Sequence, residues 1–227
     1  MASFAELDQA IIACQRCPRL REYCTQVAQI RRAAYAHQEY WGKPVPGFGD
    51  PKAWLWIIGL APGAHGSNRT GRMFTGDRSG DFLFAALHRA GLASQPASIW
   101  RDDGLHLNGV YISAAGRCAP PQNKPSPEEL KACRSYLLDE LALLARVRAI
   151  LTLGKIAYDA TWTMLRAAGS PLPVVMPGFT HGASFRSGEI KVHASYHVSQ
   201  QNTFTGKLTP AMFDSLLGQL KDGGEAH

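Results

Sequence analysis

The chain has 227 residues, enough for one full domain with a sizeable core. Hydrophobic residues make up 45% and charged residues 19%, which excludes a disordered chain, and no run of about 18 apolar residues exists to span a membrane. A formal charge of +6 suits a partner that carries phosphates, although the basic residues are scattered and only Arg69, Arg72 and Arg78 form a local group.

Met1 to Ala13 holds acidic residues and lacks a basic start followed by an apolar run, so no signal peptide is read there and the protein is expected in the cytosol. The first forty residues read as two helices, the second over Arg19–Ala34. Between them lies Cys14-Gln15-Arg16-Cys17, a spacing that lets two thiolates grip one ion. A redox pair normally opens a helix straight after a strand, whereas this one ends a helix and precedes Pro18. Cys24, on the second helix, reads as structural. Tyr40 to Asp50 is a loop by its Gly and Pro content.

Trp54–Gly59 is a compact apolar run, short enough for a buried strand. A Gly-rich segment, Leu60–Gly80, follows it, and Asp81–Ala90 then reads as a helix with Phe82, Leu83, Ala86 and Leu87 on one face. Val110–Ser113 is the next strand. Ser126, Pro127, Glu128 and Glu129 form a helix start, and that helix runs to about Ala145. Ala149–Leu153 is a third strand, with a helix over Gly154–Ala168 behind it. Val174-Val175 and Ile190–Ala194 read as later strands, Pro210–Leu220 as the final helix and Lys221–His227 as a solvated tail.

Strands alternate with helices, which predicts a single α/β domain over residues 1–220, three-layered (αβα), with a mostly parallel central sheet. In such sheets ligands bind at the carboxyl ends of the strands. The unusual segments Leu60–Gly80, Ala114–Pro125 and Ser195–Thr209 all follow strands. Gly59–Gly80 holds six glycines in twenty-two residues and can offer bare backbone amides to a ligand. It is neither a phosphate-binding loop with Gly-Lys-Ser/Thr nor a dinucleotide fingerprint. Cys118 and Cys133 are separated by fourteen residues, across a loop closing onto a helix. With Cys14 and Cys17 they supply four thiolates, enough for zinc or a cubane iron–sulfur cluster.

Gly59-Leu60-Ala61-Pro62-Gly63, Gly71-Arg72-Met73-Phe74-Thr75-Gly76 and Cys118-Ala119-Pro120-Pro121-Gln122-Asn123-Lys124-Pro125 resemble motifs of the uracil-DNA glycosylase superfamily. The cluster-containing family 4 has an acid where this chain has Leu60, and a uracil-reading asparagine where it has Ala114. These departures, with Gly66–Gly71 (GSNRTG) and Thr75-Gly76-Asp77, are similar to family 5, the B type. The resemblance covers nearly the whole chain. It implies a 4Fe-4S cluster on Cys14, Cys17, Cys118 and Cys133, and Phe74 as the platform for an extruded base. Backbone at Ala61, Pro62 and Gly63 would meet the base edge, and Ala114 would leave room for hypoxanthine as well as uracil. With Leu60 in place of the acid, Asp77 and Asn123 are the expected holders of the attacking water. His193-Ala194-Ser195 is similar to the superfamily's His-Pro-Ser, which casts His193 as the group that stabilises the leaving base. Arg69, Ser195, His197, Ser199 and Asn202 are expected at phosphates of the damaged DNA. His65 and Asn68 either line the pocket or shape the loop. The five tryptophans read as packing residues. The expected protein is a monomer associated with a bacterial or archaeal nucleoid. A zinc- or cluster-stapled binding module without catalysis, and an enzyme acting on free nucleotides, are the rival readings.

Overall fold

A computed structural model describes residues 3–224. It opens with α1 (Phe4–Ile12) and α2 (Pro18–Ile30), then β1 (Phe48–Gly49), β2 (Leu55–Gly59), α3 (Ser67–Thr70) and α4 (Arg78–Arg89). There follow β3 (Val110–Ala114), α5 (Pro127–Leu143), β4 (Ala149–Leu153) and α6 (Lys155–Ala167). The chain ends with β5 (Ser184–Ser187), β6 (Ile190–Ser195), α7 (Gln200–Phe204) and α8 (Pro210–Gly224).

One six-stranded sheet has the order β1-β3-β2-β4-β6-β5. Its four central strands are parallel, and the short β1 and β5 close its edges antiparallel. Every residue of β2, β3 and β4 is buried, the pattern of strands covered on both faces. Leu55 and Ile57 face one layer, with Leu83, Leu87, Phe213 and Leu217 of α4 and α8. Trp56 and Ile58 face the other, with Leu137, Tyr158, Trp162 and Leu165 of α5 and α6. Each such side chain contributes about 1.5–3 kcal/mol over its exposed state. The one polar atom that Trp56 brings into the core is satisfied: Nε1 donates to Ser113 Oγ at 2.9 Å.

Start signals are written in the sequence. Ser126 and Glu129 close a reciprocal capping box on α5, with Pro127 in its first turn. Other expectations need correction. Val174 and Val175 form no strand; they stand exposed in the loop after α6, hemmed by Pro173 and Pro177, and the edge strand is β5 instead. The second helix stops at Ile30, because Arg31 turns to φ 56°. The fourth begins at Arg78, capped by Asp77. Lys221 to Gly224 continue α8 rather than forming a tail, and Lys221 Nζ donates to Ala90 O; the remainder of that expected tail lies outside the described residues. Among the described residues no helix is long and apolar enough to cross a membrane.

Candidate base-excision site

The ladder between β2 and β3 continues past the strand ends. Ala115 N donates to Gly59 O and Gly116 N to Leu60 O, both at 2.9 Å, so the Gly-rich loop leaves the sheet alongside the Ala114–Pro125 loop. Gly59 pairs in register with Ala114. The Phe74 ring occupies the space a side chain at Gly59 would take: a Cβ there would lie 2.6 Å from its Cζ. Phe74 itself has φ 53°, a left-handed conformation uncommon for a bulky residue, and its N–H donates to Ser67 Oγ at 3.0 Å. Strain of this kind persists where surrounding structure over-determines it, which marks the position as a functional candidate. Phe74, Gly59 and Ala114 thus form one wall at the carboxyl end of the sheet.

Asp77 completes the loop from the other side. Its Oδ1 accepts from Gly80 N at 3.0 Å, which caps α4. Its Oδ2 fills the hollow between Gly63 and Gly66: a Cβ on Gly63 would lie 3.0 Å from it, and one on Gly66 would overlap it. Burial raises its pKa above the usual aspartate value, against the lowering effect of the Gly80 and Ser79 amides. Cap and half-buried carboxylate are therefore one residue, and the glycines are there to admit it.

At β6 the structure separates two histidines. His193 lies within the strand, paired with Leu151 and Ser184; it is 4% exposed and its Nδ1 has no partner. Burial, helped by Lys191, pushes its pKa down to about 4. His197 lies two residues beyond the strand end, seated on Gly154, where a Cβ would be 3.2 Å from its own. Asn202 Nδ2 donates to the His197 carbonyl at 2.8 Å and fixes the turn. Burial lowers the His197 pKa too, so the ring is neutral near pH 7. His197-Val198-Ser199 repeats the His-x-Ser pattern, and only this copy stands at the carboxyl edge. The geometry therefore favours His197 over His193 as the site histidine.

Two expected phosphate contacts are spent inside the protein. Arg69 is 4% exposed; its Nε, Nη1 and Nη2 donate to His65 O, Gln38 Oε1 and Gly76 O, and Tyr35 covers the guanidinium at 4.0 Å. Ser195 is fully buried, with its Oγ held by Tyr196 O and His181 Nδ1. Asn202 has its amide in the turn just described. Ser199 keeps a half-exposed side chain that makes no cap bond on α7. Asn123, exposed, follows β3 in a left-handed turn with φ 57°. Ala61 and Gly63 are half-buried and Pro62 buried. Sequence reasoning missed Phe204 on α7, which is 79% exposed; a lone phenylalanine among polar residues (Gln200 to Lys207) was its only signal. The His181 ring packs against Tyr196 at 5.7 Å.

The cysteines gather where α1, α2, α5 and the loop after β3 meet. Cys17, Cys24 and Cys118 pack with Leu20 and Ala119, and Cys14 with Ile11 and Tyr136. Burial pushes the Cys17 thiol up to about 11, and Cys133, Cys118, Glu129 and Cys14 add to the rise. All five cysteines are free, and among the described residues no three ligating side chains converge on one point. Cys17 lies within electrostatic reach of Cys14, Cys118 and Cys133.

The sequence pattern of the Uracil DNA glycosylase superfamily matches residues 46–221, which puts this sheet and its loop site in that superfamily. The type-5 uracil-DNA glycosylase of Mycobacterium tuberculosis is 48% identical over 221 residues, 96% of this chain and 81% of its own. That of Thermus thermophilus is 51% identical over 214 residues, 94% of each chain. A type-4 uracil-DNA glycosylase of Pyrobaculum aerophilum is 31% identical over 160 residues, 70% of this chain and 73% of its own. The chain belongs to the type-5 uracil-DNA glycosylase family.

Proposed function

We propose that this uracil-DNA glycosylase hydrolyses the N-glycosidic bond of uracil, and of other deaminated bases such as hypoxanthine, in DNA and leaves an abasic site. The observation that carries the reading is the half-buried Asp77 carboxylate held in the Gly63–Gly66 hollow beside the Phe74 wall. A base cannot be reached inside the stack, so the nucleotide must swing out into a pocket. Phe74 stacks on that base, and backbone at Ala61, Pro62 and Gly63 meets its edge. Ala114, where an asparagine would select for uracil, leaves the range wide.

Breaking the bond builds positive charge on the sugar and negative charge on the leaving base. Asp77 stabilises the first, and with Asn123 it holds the water that attacks the anomeric carbon. A neutral His197 donates to the O2 of the leaving base, where an imidazolium would have to be held charged against burial. Phosphate contacts come from Ser199 and the exposed face of α7. A 4Fe-4S cluster would be held by Cys14, Cys17, Cys118 and Cys133. There it would supply iron–thiolate bonds, and the four cysteines would clamp the N-terminal helices to α5 and to the loop after β3.

Duplexes carrying uracil, hypoxanthine or xanthine, incubated with the purified protein and scored for abasic sites, test this. Excision by the wild type and its loss in Asp77→Ala, Asn123→Ala and His197→Ala are expected. Wild-type rates in all three variants would remove the site assignment. Broad visible absorption with four irons per chain is expected of the thiolate site, whereas a colourless protein with stoichiometric zinc would replace the cluster by zinc.

A further inference from the structure

We propose that Asn68 is a positioning residue that pins the base-binding loop to α2, so that the packing of the cysteine-bearing helix sets the shape of the base pocket. This rests on the reading of Gly59–Gly80 as the loop that meets the base. Asn68 belongs to that loop but is 0% exposed, which removes it from any ligand's reach. Its Nδ2 donates to two carbonyls at 3.4 Å each, Cys24 O on α2 and Ala64 O in the loop. One amide thus joins two separate bodies.

Its backbone extends the joint. Asn68 N donates to Gly63 O at 3.0 Å, and its own carbonyl accepts from Gly42 N at 3.0 Å. Gly42 O in turn accepts from Arg21 Nη2 on α2 at 3.1 Å. No side chain fits at Gly42, because a Cβ there would lie 2.9 Å from Ala28 Cβ on the same helix. The α2 helix, the 40–45 segment and α3 are therefore one hydrogen-bonded unit with Asn68 at its centre. At its far end the Cys24 thiol donates to Ala119 O at 3.6 Å, beside Cys118. At its near end Gly63 and Gly66 cup the Asp77 carboxylate.

Asn68 Oδ1 has no protein partner. An apolar side chain of the same volume would fill the space without an orphaned oxygen. The residue is matched to its two donated bonds, not to the cavity alone. Removing them loosens the Gly63–Thr70 turn from α2 and leaves the backbone link through Gly42 and Arg21, with the sheet and the thiols in place.

The test uses the protein as purified, with its metal retained, and the variants Asn68→Ala and Asn68→Asp; aspartate keeps the shape and loses the donor. Hydrogen–deuterium exchange of residues 60–72 should quicken about tenfold in both variants, with exchange in β2–β4 unchanged. Metal content and affinity for undamaged duplex should stay at wild-type values, and kcat for uracil excision should fall about tenfold with little change in KM. Unchanged exchange in residues 60–72 would overturn the proposal. So would failure of both variants to fold, since a tether between two formed elements is not needed to form either. If the wild type excises no base, the functional reading fails, and the exchange comparison still decides what Asn68 does.

Discussion

Replacing Gly66 with alanine tests the loop through a single methyl group. Gly66 has φ −99°, so alanine there meets no left-handed backbone penalty. Its Cβ would instead overlap Asp77 Oδ2 and lie 2.7 Å from Cγ and 3.0 Å from Cβ, where ordinary contact begins at 3.4 Å. The carboxylate must therefore retreat by roughly 1 Å, and displacement on that scale costs on the order of 100-fold in rate. The retreat also strains the 3.0 Å bond from Gly80 N that caps α4, and losing a cap costs about 1 kcal/mol. For a domain of this size, that is a fall of roughly 2–4 °C in Tm. Single-turnover excision of uracil from a duplex, followed beside thermal melting, should show the rate collapsing while the fold survives. Gly218→Ala is the control: Gly218 lies in α8 with nothing within 4 Å of an added Cβ. That change should leave the rate alone. Wild-type excision by Gly66→Ala, or an equal loss in Gly218→Ala, would refute the argument that the glycines exist to seat Asp77.

The two histidines should separate cleanly: His197→Ala is expected to lower kcat on the order of 100-fold, whereas His193→Ala loses about 1–3 kcal/mol of stability and keeps most of kcat. Paired kinetics and melts decide it, and the reverse pattern would restore His193 to the site. Asp8 is half-buried near the Arg117–Glu140 ion pair, and burial, then Glu140, raises its pKa from 3.8 to about 6. Its raised folded value stabilises the fold below about pH 4 and that contribution is lost as pH rises through 6. Asp8→Asn should therefore gain about 1 kcal/mol at pH 7.5, after discounting for solvent screening, and nothing at pH 4. Melts giving the same difference at both pH values would contradict this. Ala114→Asn should depress hypoxanthine excision at least about tenfold relative to uracil, because a fixed amide donor and acceptor reject the wrong base edge; an unchanged ratio of the two excision rates would show that Ala114 does not set the range.

The parallel core was legible because β2, β3 and β4 are short apolar runs whose neighbours are turns or helix caps. The edge was not. Ser184-Phe185-Arg186-Ser187 offers one buried apolar side chain, and its identity as a strand comes from pairing with β6. Val174-Val175 carries high strand propensity, yet Pro173 and Pro177 leave it without a ladder, so it stands in solvent. Asp77 and Phe74 could be named from motif spacing, but the two glycine hollows that hold them are contacts between residues 11 to 15 apart. Two His-x-Ser triplets begin four residues apart, and what distinguishes them is where β6 ends, which the local pattern does not reveal. Arg69 was misread for a related reason. A basic residue in a polar loop looks exposed, but Gln38, Tyr35 and Trp100 close over it from about thirty residues away.

A crystal structure of the protein with a duplex holding one 2′-fluoro-arabino-uridine, which resists cleavage, tests the account where it is most committed. The swung-out uracil should lie flat on Phe74, with Ala114 and the Ala61–Gly63 backbone at its edge, His197 near its O2 and Asp77 beneath the sugar. A uracil bound away from the carboxyl end of β2, or a Phe74 ring without a base on it, would contradict the account.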